Sequence, residues 1–509
     1  MSRNFLLVID QGTTGTRAVV YDSHANRISY SYMEHRQIYP KPGWVEHDPL
    51  EIWENTLRVV REAVEKAGIS FEDIASIGVT NQRETTVAWD PRTGMPVYNA
   101  IVWQDTRTIG LCEELKSEGL EPEIRRTTGL TISTYFSSTK MKWILDNVPG
   151  ASEKAEKGEL SFGTIDTWII WNLTGGSDGG AYVTDPSNAS RTMLMDIERL
   201  EWDSSLLEIF GIPEHALPEI KPSSSKDPYG YTSEKLFGAE IPVSADLGDQ
   251  QAALFGQTAF SPGETKNTYG TGNFLLMNIG DKPKLSQHGL LTTVAYKLSG
   301  ENVVYALEGS IAVTGAAIQW LRDNLGLIRE AREIDELAEK AGEERSAGVY
   351  FVPAFSGLYA PYWDMTARGL IIGLTRFVRK EHLAFATLEA IALRTVDVAR
   401  AMEMDSGIKV SHLKVDGGAA KSNILLQIQA DLLGVPVTRP VNTETTSLGA
   451  AFAAGLAVGV WESLGGLRKL WRPDRTFEPR MSRKERERIY REWKRAVERA
   501  MGWLEEGGE

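Results

Sequence analysis

The chain has 509 residues, of which 42% are hydrophobic and 24% charged, and a net charge of −14. That length exceeds what one core supports and suits two domains; the negative balance argues against nucleic acid as a general partner, though not against an anionic nucleotide at a local positive site. The single cysteine, Cys112, excludes an intrachain disulfide and a cysteine zinc cluster.

The start of the chain runs into a strand without a secretory pattern. Leu6 to Asp22 reads as a β-hairpin: an apolar run ends at Asp10, a turn follows through Gly12, Thr13, Thr14 and Gly15, and Arg17 opens a second apolar run. Threonine hydroxyls and turn N–H groups of this kind can face an anion. Asp10 can hold Mg²⁺ directly or through water, and Arg17 can pair with phosphate oxygens. An ordinary hairpin with turn-forming residues is the plainer alternative. Ile28 to Met33 predicts a third strand, and Tyr39 to Pro49 a proline-punctuated loop. Asp48 then caps a helix with Pro49 in its first turn, running to about Lys66. A strand over Ile74 to Val79 ends in Thr80-Asn81-Gln82-Arg83-Glu84-Thr85, where an α/β sheet presents ligand groups.

A hairpin follows through Asp90 to Gly94, then a strand from Ala100 to Trp103. Arg83 and Glu84 could form a surface salt-bridging turn. A polyol site is favoured, because hydroxyls need donors and acceptors together and the Trp103 indole supplies a flat apolar wall. Ser161 to Ile165 predicts a strand, Asp166 to Leu173 a helix, and Thr184 to Thr192 a polar loop. Gly248 turns the chain into a helix at Asp249. That carboxylate is either an N-cap or a base that reaches the substrate hydroxyl; the two uses are partly exclusive. The domain boundary falls at 257/258, giving domains 1–257 and 258–509.

The second half opens on a similar unit. Asn267 to Met277 repeats a Gly/Thr turn, Tyr269-Gly270-Thr271-Gly272, followed by an apolar strand, and recurrence at that distance suggests two similar domains. Glu308-Gly309-Ser310 leads into a helix from Val313 to Leu321. Beyond an aromatic loop (352–364) come a helix over Glu381 to Glu403, a strand over Leu413 to Val415 and the Gly-rich turn Asp416-Gly417-Gly418, which lets a nucleotide approach the backbone. The apolar run Gly449 to Trp461 is short and reads as a buried helix, not an integral membrane segment. In Arg480 to Met501, Ile489, Trp493, Val497 and Met501 recur at helical spacing; packing of that stripe is favoured over a partner-binding face. The histidines show no metal-ligand spacing.

Two phosphate-facing hairpins, one per domain, would clamp a nucleotide in a central cleft. By pattern this resembles the α/β architecture of the actin-like ATPases, with two ribonuclease H-like domains. Six segments carry a more specific likeness: Asp10 to Thr14, Pro42 to His47, Thr80 to Thr86, Gly248 to Gly256, Tyr269 to Gly272 and Val415 to Gly418. On these the chain resembles, over essentially its whole length, the FGGY carbohydrate kinases, and among them the members that phosphorylate glycerol.

The resemblance implies transfer of phosphate from ATP to glycerol with Mg²⁺ as cofactor, in a cytoplasmic homo-oligomer, dimer or tetramer. It further implies that Arg83, Glu84, Tyr135, Asp249 and Gln250 bind the glycerol hydroxyls and that Trp103 and Phe274 pack on its carbons. Thr13, Thr14, Gly15, Arg17, Thr271, Gly315, Gln319 and Gly418 would surround the nucleotide, and Asp10 and Asp249 the metal. Asp249 would also be the catalytic base. Ser422 stands where many relatives carry Asn near the adenine, which makes Asn423 the next candidate. Glu240 stands where some relatives carry an arginine that binds fructose 1,6-bisphosphate, so inhibition by that ligand is not expected. A kinase for another small sugar or polyol is the alternative within the family. A non-metabolic actin-like ATPase is the alternative outside it, but it leaves Arg83, Glu84, Tyr135 and Gln250 without a role.

Overall fold

The computed structural model describes residues 4–504. The opening hairpin forms as its pattern requires. Strand β1 (Phe5–Gln11) pairs antiparallel with β2 (Gly15–Tyr21), Asp10 lies opposite Arg17, and β2 pairs with β3 (Arg27–Glu34). Helix α1 (Pro49–Ala67) starts where the Asp48 carboxylate accepts the Leu50 N–H. Its apolar face, including Ile52, Val59, Val60 and Ala63, packs under the sheet with Leu7, Ile9 and Val20. Strands β4 (Ile74–Asn81) and β5 (Pro242–Gly248) add in parallel to the other side of β1.

The second half repeats this plan. Strand β6 (Glu264–Tyr269) pairs antiparallel with β7 (Asn273–Gly280), and β7 with β8 (Val303–Ile311). Strand β9 (His412–Asp416) joins β6 in parallel, and β10 (Val437–Pro440) joins β9. The shared five strands run β3-β2-β1-β4-β5 in one sheet and β8-β7-β6-β9-β10 in the other. Third, second, first, fourth, fifth is the ribonuclease H-like order. The repeated Gly/Thr turn therefore marks a repeated domain core.

Two helices join the halves. Helix α2 (Ser137–Asn147) lies in the first half, and α3 (Asp249–Gly256) follows β5. Later come α4 (Gly315–Asp323), α5 (Lys380–Ser406), α6 (Asn423–Leu433) and α7 (Thr445–Ala457), the last of which follows β10. Helices α3 and α7 cross with almost no side chain between them. A Cβ added at Gly449 would lie 1.8 Å from the Ala252 carbonyl oxygen, and one at Gly256 2.0 Å from that of Thr445. Glycine is required there because backbone meets backbone. Helix α7 also packs on the first sheet, with Ala450, Ala451, Ala453 and Ala454 in one core with Leu6, Val8 and Ala245. The run Gly449 to Trp461 is thus largely a buried helix.

The C-terminal helix α8 (Arg483–Ala500) buries Ile489, Trp493 and Val497. The Trp493 indole N–H donates to Asp397 of α5 at 3.0 Å.

Several expectations need correction. The strand at Ala100 is only Ala100–Ile101, because the chain turns to aim the Trp103 indole N–H at Thr13 Oγ1, 2.9 Å away. Thr184 to Thr192 is not all loop: Pro186–Ala189 is a helical turn whose first N–H groups, on Ser187 and Asn188, bond the Asp185 carboxylate. Glu308, Gly309 and Ser310 lie inside β8, paired with Leu276, Leu275 and Phe274, and the next helix starts at Gly315.

Candidate active site

The polar strand end after β4 folds into a buried knot. Glu84 has φ +62°, a left-handed conformation that costs a non-glycine residue about 1–3 kcal/mol. The turn is held by its surroundings. Thr85 N–H donates to the Arg83 carbonyl at 2.7 Å, and the Ser137 and Thr86 hydroxyls both donate to the Glu84 carbonyl, at 3.0 and 3.2 Å. The strain points the Glu84 carboxylate and the Arg83 guanidinium into one pocket.

Both side chains are fixed there by ion pairs. Arg83 donates to Glu308 through Nη1 (2.6 Å) and Nη2 (3.1 Å), and its Nε lies 3.2 Å from Asp249 Oδ1. Arg191 donates through Nε to Glu84 (2.6 Å) and through Nη2 to Glu308 (3.2 Å). Two arginines and two glutamates, all buried, balance in charge, which makes such burial tolerable. Burial pushes the Glu84 carboxyl up against the pull of Arg191 and Arg83. Burial also works against Glu308, but there Arg191 and Arg83 prevail and pull it down to about 2. An aromatic wall closes the pocket. Trp103 meets Tyr135 edge to face at 5.5 Å, and the Arg191 guanidinium lies over the Tyr135 ring.

Asp249 is the first residue of α3, and the N-cap position belongs to Gly248. Asp249 Oδ1 still accepts the Gln250 N–H at 2.7 Å, so part of the helix-start role stands. Its side chain is 32% exposed, the open member of an otherwise buried cluster. Gln250 Nε2 donates to Asp249 Oδ2 at 3.2 Å, and its Oε1 accepts from Lys266 of β6. Burial pushes the Lys266 ammonium down to about 8. Phe274, on β7 opposite Ser310, is partly buried.

Next to this pocket, the first hairpin turn is closed by Gly12 N–H donating to the Gly15 carbonyl at 2.9 Å, and the second by Gly270 N–H to Gly272 at 2.8 Å. Gly315 N–H donates to the Gly270 carbonyl at 3.1 Å, which seats α4 on the second turn. A Cβ at Gly417 would lie 2.5 Å from the Tyr269 carbonyl oxygen, so the turn carrying Gly418 sits directly behind it. Thr14, Thr271, Gln319, Gly418 and Asn423 are exposed. Ser422 is already engaged: its hydroxyl donates to Asp335 at 2.7 Å and accepts the Leu425 N–H at 3.1 Å as the cap of α6. Arg17 is ion-paired with Glu444, and Asp416 accepts from Gln257 (2.8 Å) and Thr445 (2.6 Å). Burial and the nearby Asp249 push the Asp10 carboxyl up to about 6, although Arg17 opposes them.

Sequence reasoning thus reaches the residues at the pocket surface and misses Arg191, Gln251, Lys266, Glu308 and Glu444 behind them. Gln251 accepts from Arg83 Nη1 at 3.2 Å. The one available signal was the presence of Arg191 and Glu308 as charges in segments otherwise polar or apolar.

Comparison with known proteins gives a consistent result. Residues 5–256 match the N-terminal domain, and residues 265–458 the C-terminal domain, of the FGGY family of carbohydrate kinases. The chain is 59% identical to glycerol kinase 2 of Thermotoga maritima over 98% of this chain and 99% of that protein. It is also 59% identical to a glycerol kinase of Caldanaerobacter subterraneus, over 99% of each. Among solved structures, that of Plasmodium falciparum glycerol kinase with ADP superposes with a TM-score of 0.93, at 40% identity and 99% coverage of both chains. Xylulose kinase from Lactobacillus acidophilus shares the fold at 23% identity, covering 97% of both chains, with a TM-score of 0.86.

Proposed function

The chain belongs to the FGGY family of carbohydrate kinases, and from that premise we propose that it transfers the γ-phosphoryl group of ATP to glycerol, giving ADP and sn-glycerol 3-phosphate. The observation that carries this reading is the convergence of Arg83, Glu84 and Asp249 beside the Trp103 and Tyr135 rings. Donors and acceptors in that number suit a triol, and the aromatic wall suits its carbons.

Each residue then has a task. Arg83 and the Gln250 amide N–H donate to substrate hydroxyls, while Glu84 and Asp249 accept from them. Trp103 and Phe274 pack on the carbons, and Tyr135 completes the wall and offers its hydroxyl to a glycerol hydroxyl. Phosphoryl transfer asks for in-line placement and neutralised charge more than covalent help. As the glycerol oxygen bonds to the γ-phosphorus and the bond to the bridging oxygen of ADP breaks, Asp249 takes the hydroxyl proton. Arg17 exchanges Glu444 for phosphate oxygens. Thr13, Thr14, Gly15 and Thr271 offer hydroxyls and N–H groups to the phosphate chain, and Gly315, Gln319, Gly418 and Asn423 line the nucleoside end. Ser422 contributes there through its cap on α6.

Mg²⁺ fits the donor set. Asp10 and Asp249 are hard oxygen ligands close enough for one to push up the other's carboxyl, a repulsion that a cation relieves, and nucleotide-bound Mg²⁺ needs only one or two carboxylates. When bound it neutralises phosphate charge. Family resemblance also supports a cytoplasmic setting and a homo-oligomer, dimer or tetramer. No helix among the described residues is long and apolar enough to cross a membrane.

Phosphorus NMR of a reaction with MgATP and glycerol tests the reading. One phosphomonoester should appear, a substrate for an enzyme specific for sn-glycerol 3-phosphate, in step with ADP. Inorganic phosphate in its place would make the chain an ATPase.

A further inference from the structure

Lys140 lies on α2 and is fully buried, and the proposed reaction gives its ammonium no task of its own. Its ammonium donates to three successive carbonyls, those of Thr134 (2.8 Å), Tyr135 (2.7 Å) and Phe136 (2.9 Å). All three precede the helix, and the middle residue presents the ring that meets Trp103 and Arg191. An ammonium has three N–H donors and a neutral amine only two. Only the charged form therefore donates to all three carbonyls at once.

We propose that Lys140 is a positioning residue for glycerol: its ammonium clamps the 134–136 segment so that Tyr135 closes the pocket wall, and loss of its proton loosens that wall. This deepens the reading of the pocket above and rests on the role given there to Tyr135.

The proton is lost in a useful range. Burial pushes the Lys140 ammonium down to about 7, opposed by Glu84 and Asp105 and assisted by Arg107. Cys112, Tyr135 and Arg107, which face Lys140, do not titrate between pH 6 and 9. Burial pushes the Cys112 thiol up to about 11 and the Tyr135 phenol up as well, and Arg107 is held charged by Asp105 and Glu46 against its own burial. The sign follows. The clamp is complete at pH 6, and the amine gives up one of its three N–H contacts as pH rises through about 7. Glycerol binding should weaken across that interval while ATP binding does not.

The experiment is KM for glycerol and for ATP from pH 6 to 9 on the purified enzyme, on Lys140→Gln and on Tyr135→Phe. In the parent enzyme KM for glycerol should climb several-fold and KM for ATP stay level. Lys140→Gln, neutral at every pH, should show the high glycerol KM throughout, with little further rise. A folded Lys140→Gln with the parent's KM and pH profile would overturn the clamp. If that variant does not fold, a parent glycerol KM that stays flat across the interval overturns it equally. Tyr135→Phe separates the two layers. A parent-like glycerol KM at pH 6 in that variant removes Tyr135 from the substrate site, whereas a raised KM there combined with a flat parent profile removes Lys140 alone.

Discussion

Replacing Asp249 with asparagine is expected to lower kcat about a thousandfold, the scale on which a positioned general base contributes. The dissociation constant for ATP should change little. Asparagine has nearly the same shape and keeps an oxygen for the Gln250 N–H now bonded by Oδ1 at 2.7 Å. The helix cap is untouched, because Gly248 occupies that position. What disappears is the negative charge beside Arg83 Nε and the capacity to accept a proton. Steady-state kinetics and calorimetric titration of ATP separate the two effects. Turnover within tenfold of the parent would remove Asp249 from the base role.

Glu308→Gln should be the most damaging change outside the pocket surface. The residue is buried on β8, in the second sheet, yet it holds two arginines from the first half, Arg83 in bidentate fashion and Arg191 through Nη2. Glutamine keeps the size and loses the charge. Arg83 and Arg191 would then keep only Glu84 as a buried anion, with the partly exposed Asp249 beside Arg83 Nε, and a buried cation short of its partner costs about 3–5 kcal/mol. Thermal denaturation should show a lower Tm, and the KM for glycerol should rise because Arg83 is no longer held.

The acid limb of stability is a second signature. The Glu308 carboxyl is pulled from its ordinary 4.5 down to about 2, so its stabilisation is present above the ordinary value and is lost as pH falls toward 2. That part of the acid dependence should vanish in Glu308→Gln. An unchanged Tm and acid limb would mean that the two arginines do not depend on this partner.

How far the sequence carries the reader depends on the range of each signal. The hairpin at Asp10, the helix after Asp48 and the stripe Ile489, Trp493, Val497 are local patterns, and each forms as its spacing requires. The helical turn after Asp185 obeys the same Asp-Pro rule as the one after Asp48, and was hidden by the density of polar residues around it. Arg83, Glu84, Trp103, Tyr135 and Asp249 do meet, although their gathering depends on pairing between distant strands. Glu308 and Arg191 were illegible for that reason. Glu308 lies 225 residues from Arg83, and its meaning comes only from the register that puts it opposite Leu276 on β7. Lys140 was hidden because its three partners are backbone carbonyls, which carry no sequence signature. The strained turn at Glu84 was equally invisible, since no residue type announces a left-handed glutamate.

The buried Arg83–Glu84 pair, with Asp249 at its open side, makes ATP turnover depend on glycerol. Coupled ADP release with MgATP alone, with glycerol, and with a pentulose tests it most directly. Release should be slow with MgATP alone, rise strongly with glycerol and rise little with the longer sugar. Release that ignores glycerol, or that responds only to the pentulose, would contradict the assignment of that pocket.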